Sequence, residues 1–428
     1  MSALALTLDI VEEFIDALAR DDPNLSSTKA CSLVCQEFHV ICKKRIFASI
    51  ALNNSSARSP TLAKFKWIQK GSSSQFLRLV DSSPYVVNHI RHLRYHIVEE
   101  DLNHGALAQS FQKITGLQSL SLWDDTEQRS YKWNVTIDNA LRPAFLHFFN
   151  LPTLTDLQLR NINGFVIADL ELCANLRRIA CAGDLTIGEP EVPLNSVLPE
   201  SPTCLQGLTI ASSGGHEVVR HMCSMKCRDG TPFIDLSGLT ALDVRLIVPK
   251  DISHTRDICR RCPTLTSLRS TCFWRDASMV DGLADMLKPA LQTLRHLRID
   301  TISFLPSTAA DTFFLLADEV KKMENKNIIE DITVTVLLFN PGWDLKSAEW
   351  GQFDRVLGEP SWSNLQQFSL FIKSYQFTTD DDHSVQISSM TNKHFPRLSS
   401  SGKLNLQMSP PTVDPRTGIY NPFEYMFT

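Results

Sequence analysis

One template recurs along most of this chain: a six-residue segment with apolar residues at its first, fourth and sixth positions and mostly polar residues between. It occurs at Ile90-Leu93-Tyr95, Leu117-Leu120-Leu122, Leu154-Leu157-Leu159, Leu176-Ile179-Cys181 and Leu205-Leu208-Ile210. It continues at Leu239-Leu242-Val244, Leu265-Leu268-Ser270, Leu294-Leu297-Ile299, Ile329-Ile332-Val334 and Leu365-Phe368-Leu370, with a shorter echo at Leu404 and Leu406. Successive units lie 22 to 37 residues apart. Positions four and six, two apart on a strand, turn both side chains to one face, while positions three, five and seven point the other way. Each strand needs a return segment, and 276–287 and 308–323 carry the helical periodicity to supply one. A strand and a helix per unit predict an α/β chain whose strands stack in parallel.

A chain of 428 residues exceeds what one hydrophobic core organises, which agrees with a repeat array or two domains. Hydrophobic content of 43% and a mean hydropathy of -0.09 are ordinary for a chain that folds in water, and no run approaches the roughly 18 apolar residues of a membrane span. A net charge of -5 gives no global attraction to nucleic acid or anionic lipid, so neither is expected as a partner. The N-terminus meets Asp9, Glu12 and Glu13 before an apolar secretory core can form, which places the chain in the cytoplasm or nucleus. In that reducing setting the 11 cysteines are expected to be mostly buried thiols.

Ahead of the array, Ile10, Val11, Phe14, Ile15 and Leu18 fall within an arc of about 140° on a helix starting near Asp9 and stopped by Asp21-Asp22-Pro23. A second helix is expected from a cap at Ser26 or Ser27 through Ala30, Cys31, Leu33, Val34 and Phe38. A third is expected around Ile41, Cys42, Ile46 and Phe47, with Lys43, Lys44 and Arg45 near its C-terminal end. The polar, turn-rich stretch 51–64 marks a boundary.

These residues resemble the F-box motif, in its fungal F-box-like form. Leu6, Asp9, Ile10, Val11, Val34 and Cys35 match, while Thr7 stands where the family has proline and Phe38 where it has tryptophan. The array resembles the irregular, long leucine-rich repeats often joined to such modules. It departs from the short-repeat consensus at the position eight after the first Leu, where Ile162, Asp184, Ser213 and Ile247 replace the usual Asn or Cys. The resemblance implies a horseshoe with strands on its concave face and helices outside, and docking on the Skp-type adaptor, hence on a cullin, of a ubiquitin ligase. Leu6, Ile10, Val11, Ile15, Val34 and Cys35 are the docking residues it implies. The expected layout is a helical module at 1–50, a linker and transition at 51–75, the repeat domain at 76–375, and a capping repeat with a tail at 376–428. The alternative is a protein-binding scaffold without a ligase connection, its N-terminal helices closing the array.

Neither role needs a catalytic residue, and none is assigned; phosphate loops and nucleophile elbows are absent. In His216-Glu217-Val218-Val219-Arg220-His221 the two imidazoles diverge by about 140° on a helix, so they cannot share one zinc. Cys259 and Cys262, beside Pro263 at a repeat entry, read as core thiols, as do Cys31, Cys35 and Cys42. No metal or cofactor is expected. An unknown protein substrate would meet the outward strand face, where Arg94, Trp123, Arg160, Arg178, Arg245, Arg269 and Arg298 stand among aspartates. Arg245, Arg269 and Arg298 could form a cationic strip for an acidic or phosphorylated peptide. The favoured reading is that arginines and aspartates satisfy one another across strands about 4.8 Å apart, as with Asp243 beside Arg269.

Overall fold

Helix α1 (Leu8–Asp21) follows the amphipathic pattern, with Asp9 in its first turn where the helix dipole favours a carboxylate. The computed structural model describes residues 8–22, 25–53, 69–124, 132–133, 140–188, 202–274, 281–303, 308–324, 327–338, 348–374 and 384–409. The second expected helix is two elements. α2 (Ser26–Cys31) stops early, the chain turns through residues 32–35, and α3 (Gln36–Ile46) starts from an extended Cys35, so Phe38 belongs to the third helix. The Ser32 hydroxyl donates to the Lys29 carbonyl at 2.6 Å, a local bond that competes with helix propagation. The cap also differs: Leu25 occupies that position at φ 55°, and Asp22 Oδ2 accepts the Ser27 amide at 2.6 Å.

Among the described residues the chain forms two units: the residues up to Thr203 with Lys226–Phe233, and Cys204–Met225 with the residues from Ile234 to 409. In the first, strands β1 (Ser49–Leu52), β2 (Gln69–Gly71), β3 (His92–Ile97), β4 (Ser119–Asp124), β5 (Asp156–Arg160) and β6 (Arg178–Ala182) make parallel pairs in the order β2-β1-β3-β4-β5-β6. The boundary expected at residue 50 therefore falls inside a strand, and β1 and β2 draw both flanks of the expected linker into the sheet. Helix α4 (Ser73–Ser82) follows at once behind a capping box made by Ser72 and Gln75. Buried Asp101 accepts from Asn53, Ser73 and, at 2.9 Å, Tyr95, which ties β1, α4 and β3 together. Residues 54–68 lie outside the described residues.

The register carries the template. Leu93, Leu120, Leu157 and Ile179 stand opposite one another across β3 to β6, as do Tyr95, Leu122, Leu159 and Cys181. All eight are buried, and each large aliphatic side chain so removed from water contributes about 1.5–3 kcal/mol. Behind them lie α5 (Gly105–Gln112) and α6 (Arg142–Phe149): the Tyr95 ring sits 5.2 Å from Phe111 and 6.0 Å from Phe145. Positions four and six thus face the helices.

Two short strands, β7 (Thr203–Cys204) and β9 (Ile234–Asp235), stand apart from the main pairing. In the second unit β8 (Gly207–Ala211), β10 (Ala241–Leu246), β11 (Ser267–Trp274), β12 (His296–Ser303), β13 (Asp331–Leu338), β14 (Gln367–Ser374) and β15 (Leu404–Ser409) pair in parallel in chain order. Leu208, Leu242, Leu268, Leu297, Ile332, Phe368 and Leu404 form its position-four row. Its return helices include α7 (Ser213–Ser224), α8 (Pro249–Arg260), α9 (Leu283–Leu287), α10 (Thr308–Lys322) and α11 (Gln352–Leu357), packed each on the next. α9 is shorter than the periodicity of 276–287 predicts, because Gly282 at φ 97° sets its start. Helices α12 (Ser384–His394) and α13 (Pro396–Ser400) precede β15, so the closing repeat expected around Phe395, Leu398, Leu404 and Leu406 is formed. The structure is α/β with a parallel sheet, and among the described residues no helix is long and apolar enough to cross a membrane.

Candidate functional site

The three N-terminal helices divide their apolar residues between two duties. Val11, Ile15, Ile41 and Cys42 are buried together, with Cys31, Phe38 and Ile46 packed against them. Arg45 and Asp16 pair at 2.5 Å, and Lys44 reaches Glu12 at 3.4 Å, so charge also joins α3 to α1. Outside this core Ile10 and Phe14, one turn apart on α1, and Val40 on α3 are exposed. The turn between α2 and α3 presents Leu33 at 86% and Val34 at 70% exposure. That turn is defined: the amides of Ser32, Leu33 and Val34 donate to the carbonyls of Thr28, Ala30 and Cys31 at 3.1 Å each. Large apolar side chains are costly to hold in water, which sets these five apart from the buried residues beside them.

Of the docking residues expected from the sequence, Ile10, Val34 and Cys35 are exposed. Val11 and Ile15 are corrected: both are buried in the module's own core, so neither can touch a partner while the helices stay folded. Leu6 lies outside the described residues. Phe14, Leu33 and Val40 were not assigned. The signal for Phe14 was present in the width of the arc on α1: about 140° of apolar helix exceeds one core contact, and the structure buries one edge and exposes the other.

On the sheet of the first unit, Arg94, Trp123 and Arg160 from three adjacent strands meet. The guanidinium carbons of Arg94 and Arg160 lie 4.7 and 4.6 Å from the Trp123 ring centroid, and the His96 ring is 4.7 Å away. This is a cation–π stack, favoured when desolvated. Arg94 is 6% and Trp123 2% exposed, so the expectation that they stand out to solvent is corrected: they pack on each other. Burial first, and the charge of Arg160 second, push Arg94 down to about 10, still cationic at neutral pH. Arg178 is exposed and ion-paired with Asp156, its register partner on the next strand.

In the second unit Arg269 and Arg298 occupy equivalent positions of β11 and β12 and share one carboxylate. Arg269 Nε donates to Asp300 Oδ2 at 2.7 Å, Arg298 Nε donates to Asp300 Oδ1 at 2.9 Å, and Asp243 lies 3.9 Å from Arg269. Arg245 stands one step further along β10, opposite Thr271, and its Nη1 donates to the Ala211 carbonyl at 3.5 Å. Arg269 and Arg298 thus form a ladder of Arg–Asp pairs, with Arg245 displaced along it onto a backbone carbonyl, in accord with mutual satisfaction rather than a bare cationic strip.

The remaining sequence candidates separate in the structure. Glu217 pairs with Arg220 at 2.8 Å and with Lys250 at 3.8 Å, the first contact chiefly holding its carboxyl below the ordinary range. His221 is exposed while His216 is buried. Cys259 and Cys262 are buried, and burial pushes the Cys259 thiol up to about 12, an inert core group. No protein-family model matches this chain, and no curated protein matches it.

Proposed function

We propose that the chain is the substrate receptor of a cullin-RING ubiquitin ligase, with α1–α3 as an F-box-like module docking a Skp-type adaptor and the leucine-rich array, a horseshoe in this reading, holding a protein substrate. One observation carries the reading: the residues that resemble the motif fold into three helices that expose Ile10, Phe14, Leu33, Val34 and Val40 beside a filled core. The register of the leucine rows supports the repeat half. The receptor's work is geometric. Adaptor contact would bury the apolar turn at Leu33 and Val34, and the strand positions facing away from the helices would present Arg298 and its neighbours to substrate.

The test is capture of a purified Skp-type adaptor by the full chain, comparing wild type with Leu33→Asp and Val34→Asp. Both side chains point into solvent, so the variants should keep their fold while losing at least tenfold in affinity, about 1.4 kcal/mol. Failure of folded wild type to bind the adaptor would overturn the ligase reading. The second reading, helices that merely close the array, draws on the direct passage from α3 into β1, which pairs with β3. It predicts no adaptor binding.

A further inference from the structure

Three side chains able to ligate a metal converge between the return helices α7 and α8 of the second unit. His216 is 1% exposed in the first turns of α7; Asp251 and His254, three residues apart, share one face of α8. One ligand atom from each of the three lies within 4.8 Å of the others, and the imidazole centroids are 6.0 Å apart. His216 Nδ1, Asp251 Oδ1 and His254 Nδ1 are buried without a hydrogen-bond partner.

The surrounding bonds leave those atoms free to act as ligands. His216 Nε2 lies 3.2 Å from the Arg245 carbonyl, which can only accept, so Nε2 carries the proton and Nδ1 the lone pair. Asp251 uses Oδ2 for structure, accepting the amides of Ile247 at 2.9 Å and Val248 at 3.1 Å and the Ser213 hydroxyl at 3.4 Å. Buried polar atoms are normally satisfied, and an unpartnered atom on each of three clustered side chains calls for a cation.

We propose that His216, Asp251 and His254 form a zinc site that clips α7 to α8. Two imidazole nitrogens and one carboxylate oxygen are a zinc donor set, whereas calcium and magnesium prefer oxygen throughout. Bonds of about 2.0–2.2 Å in a tetrahedral site bring ligand atoms to about 3.3 Å from one another, so binding would draw the three side chains inward from their present spacing, with water in the fourth position. The sequence alone offered His216 with His221; the second imidazole instead comes from the next repeat.

The experiment strips the full chain with a chelator and titrates Zn²⁺, and separately Co²⁺ as a spectroscopic probe, into wild type, Asp251→Asn and His254→Ala. In Asp251→Asn the side-chain amide keeps an oxygen for the Ile247 and Val248 amides, and His254 is only half-buried, so both variants are expected to show the wild-type circular dichroism. Wild type should bind one equivalent, give the visible bands of tetrahedral Co²⁺ without an intense sulfur-to-cobalt band, and melt at a higher temperature with Zn²⁺. Each variant should bind at least tenfold more weakly. Absence of stoichiometric binding, a thiolate band, or variants that bind as tightly as wild type would each overturn the site.

Discussion

Val11 and Val34 are the same residue type within the same N-terminal helical stretch, yet one fills a core and the other stands in water. An aspartate at position 11 would bury a charge among Ile15, Ile41 and Cys42, so Val11→Asp should unfold the helical module. Val34→Asp should leave stability within about 0.5 kcal/mol of wild type in urea denaturation. Adaptor binding lost through Val11→Asp would therefore say nothing about docking. Asp300 poses a different question, since two guanidinium groups depend on it. Asp300→Ala should cost about 2 kcal/mol, less than a fully buried pair would, because Arg298 is half exposed to solvent. A fall in the urea midpoint with unchanged slope would register it. His89 and His92 are both held below the usual range, chiefly by burial. The unfolded chain then binds protons that the folded chain refuses, so stability should be full above about pH 6.5 and decline as pH falls through the lowered native values. Urea midpoints at pH 7.5 and 5.5 give the sign directly.

At the scale of elements, the leucine rows decide stability. Leu297 is buried between Leu268 and Ile332 on the neighbouring strands, so Leu297→Ala should cost about 2–5 kcal/mol, whereas Thr333→Ala on the opposite face should cost far less. Thermal denaturation of the two variants separates the faces of the sheet. The strands were legible because a period of two with leucine at positions four and six admits one register: a slip of one residue would expose every row. Helix ends were less legible. The apolar pattern runs without interruption from α2 into α3, and the break comes from the Ser32 hydroxyl bond and the extended Cys35, local events that periodicity does not record. Gly282 shortens α9 in the same way, by a backbone angle that its neighbours' hydrophobicity cannot reveal.

Across the molecule, the repeat strands of each unit pair with the strand of the preceding repeat and that of the following one, which gives a structure built from neighbour contacts. The last such repeat in the described chain is α12, α13 and β15, whose Phe395 and Leu398 are buried. A chain ending at Ser374 would bare the β14 edge and Phe368, now 6.2 Å from Phe395. It should elute as aggregates in size-exclusion chromatography and melt below the full chain. The amino-acid sequence by itself determined the α/β repeat, the strand registers and the three-helix start, because periodic hydrophobicity acts through local geometry that every repeat shares. Tertiary structure alone decided which apolar residues of α1 and of the α2–α3 turn meet water, how Arg94 and Arg160 stack on Trp123, and that His216 meets Asp251 and His254. Those outcomes depend on side chains from different repeats arriving at one place, and distance along the chain carries no record of that arrival.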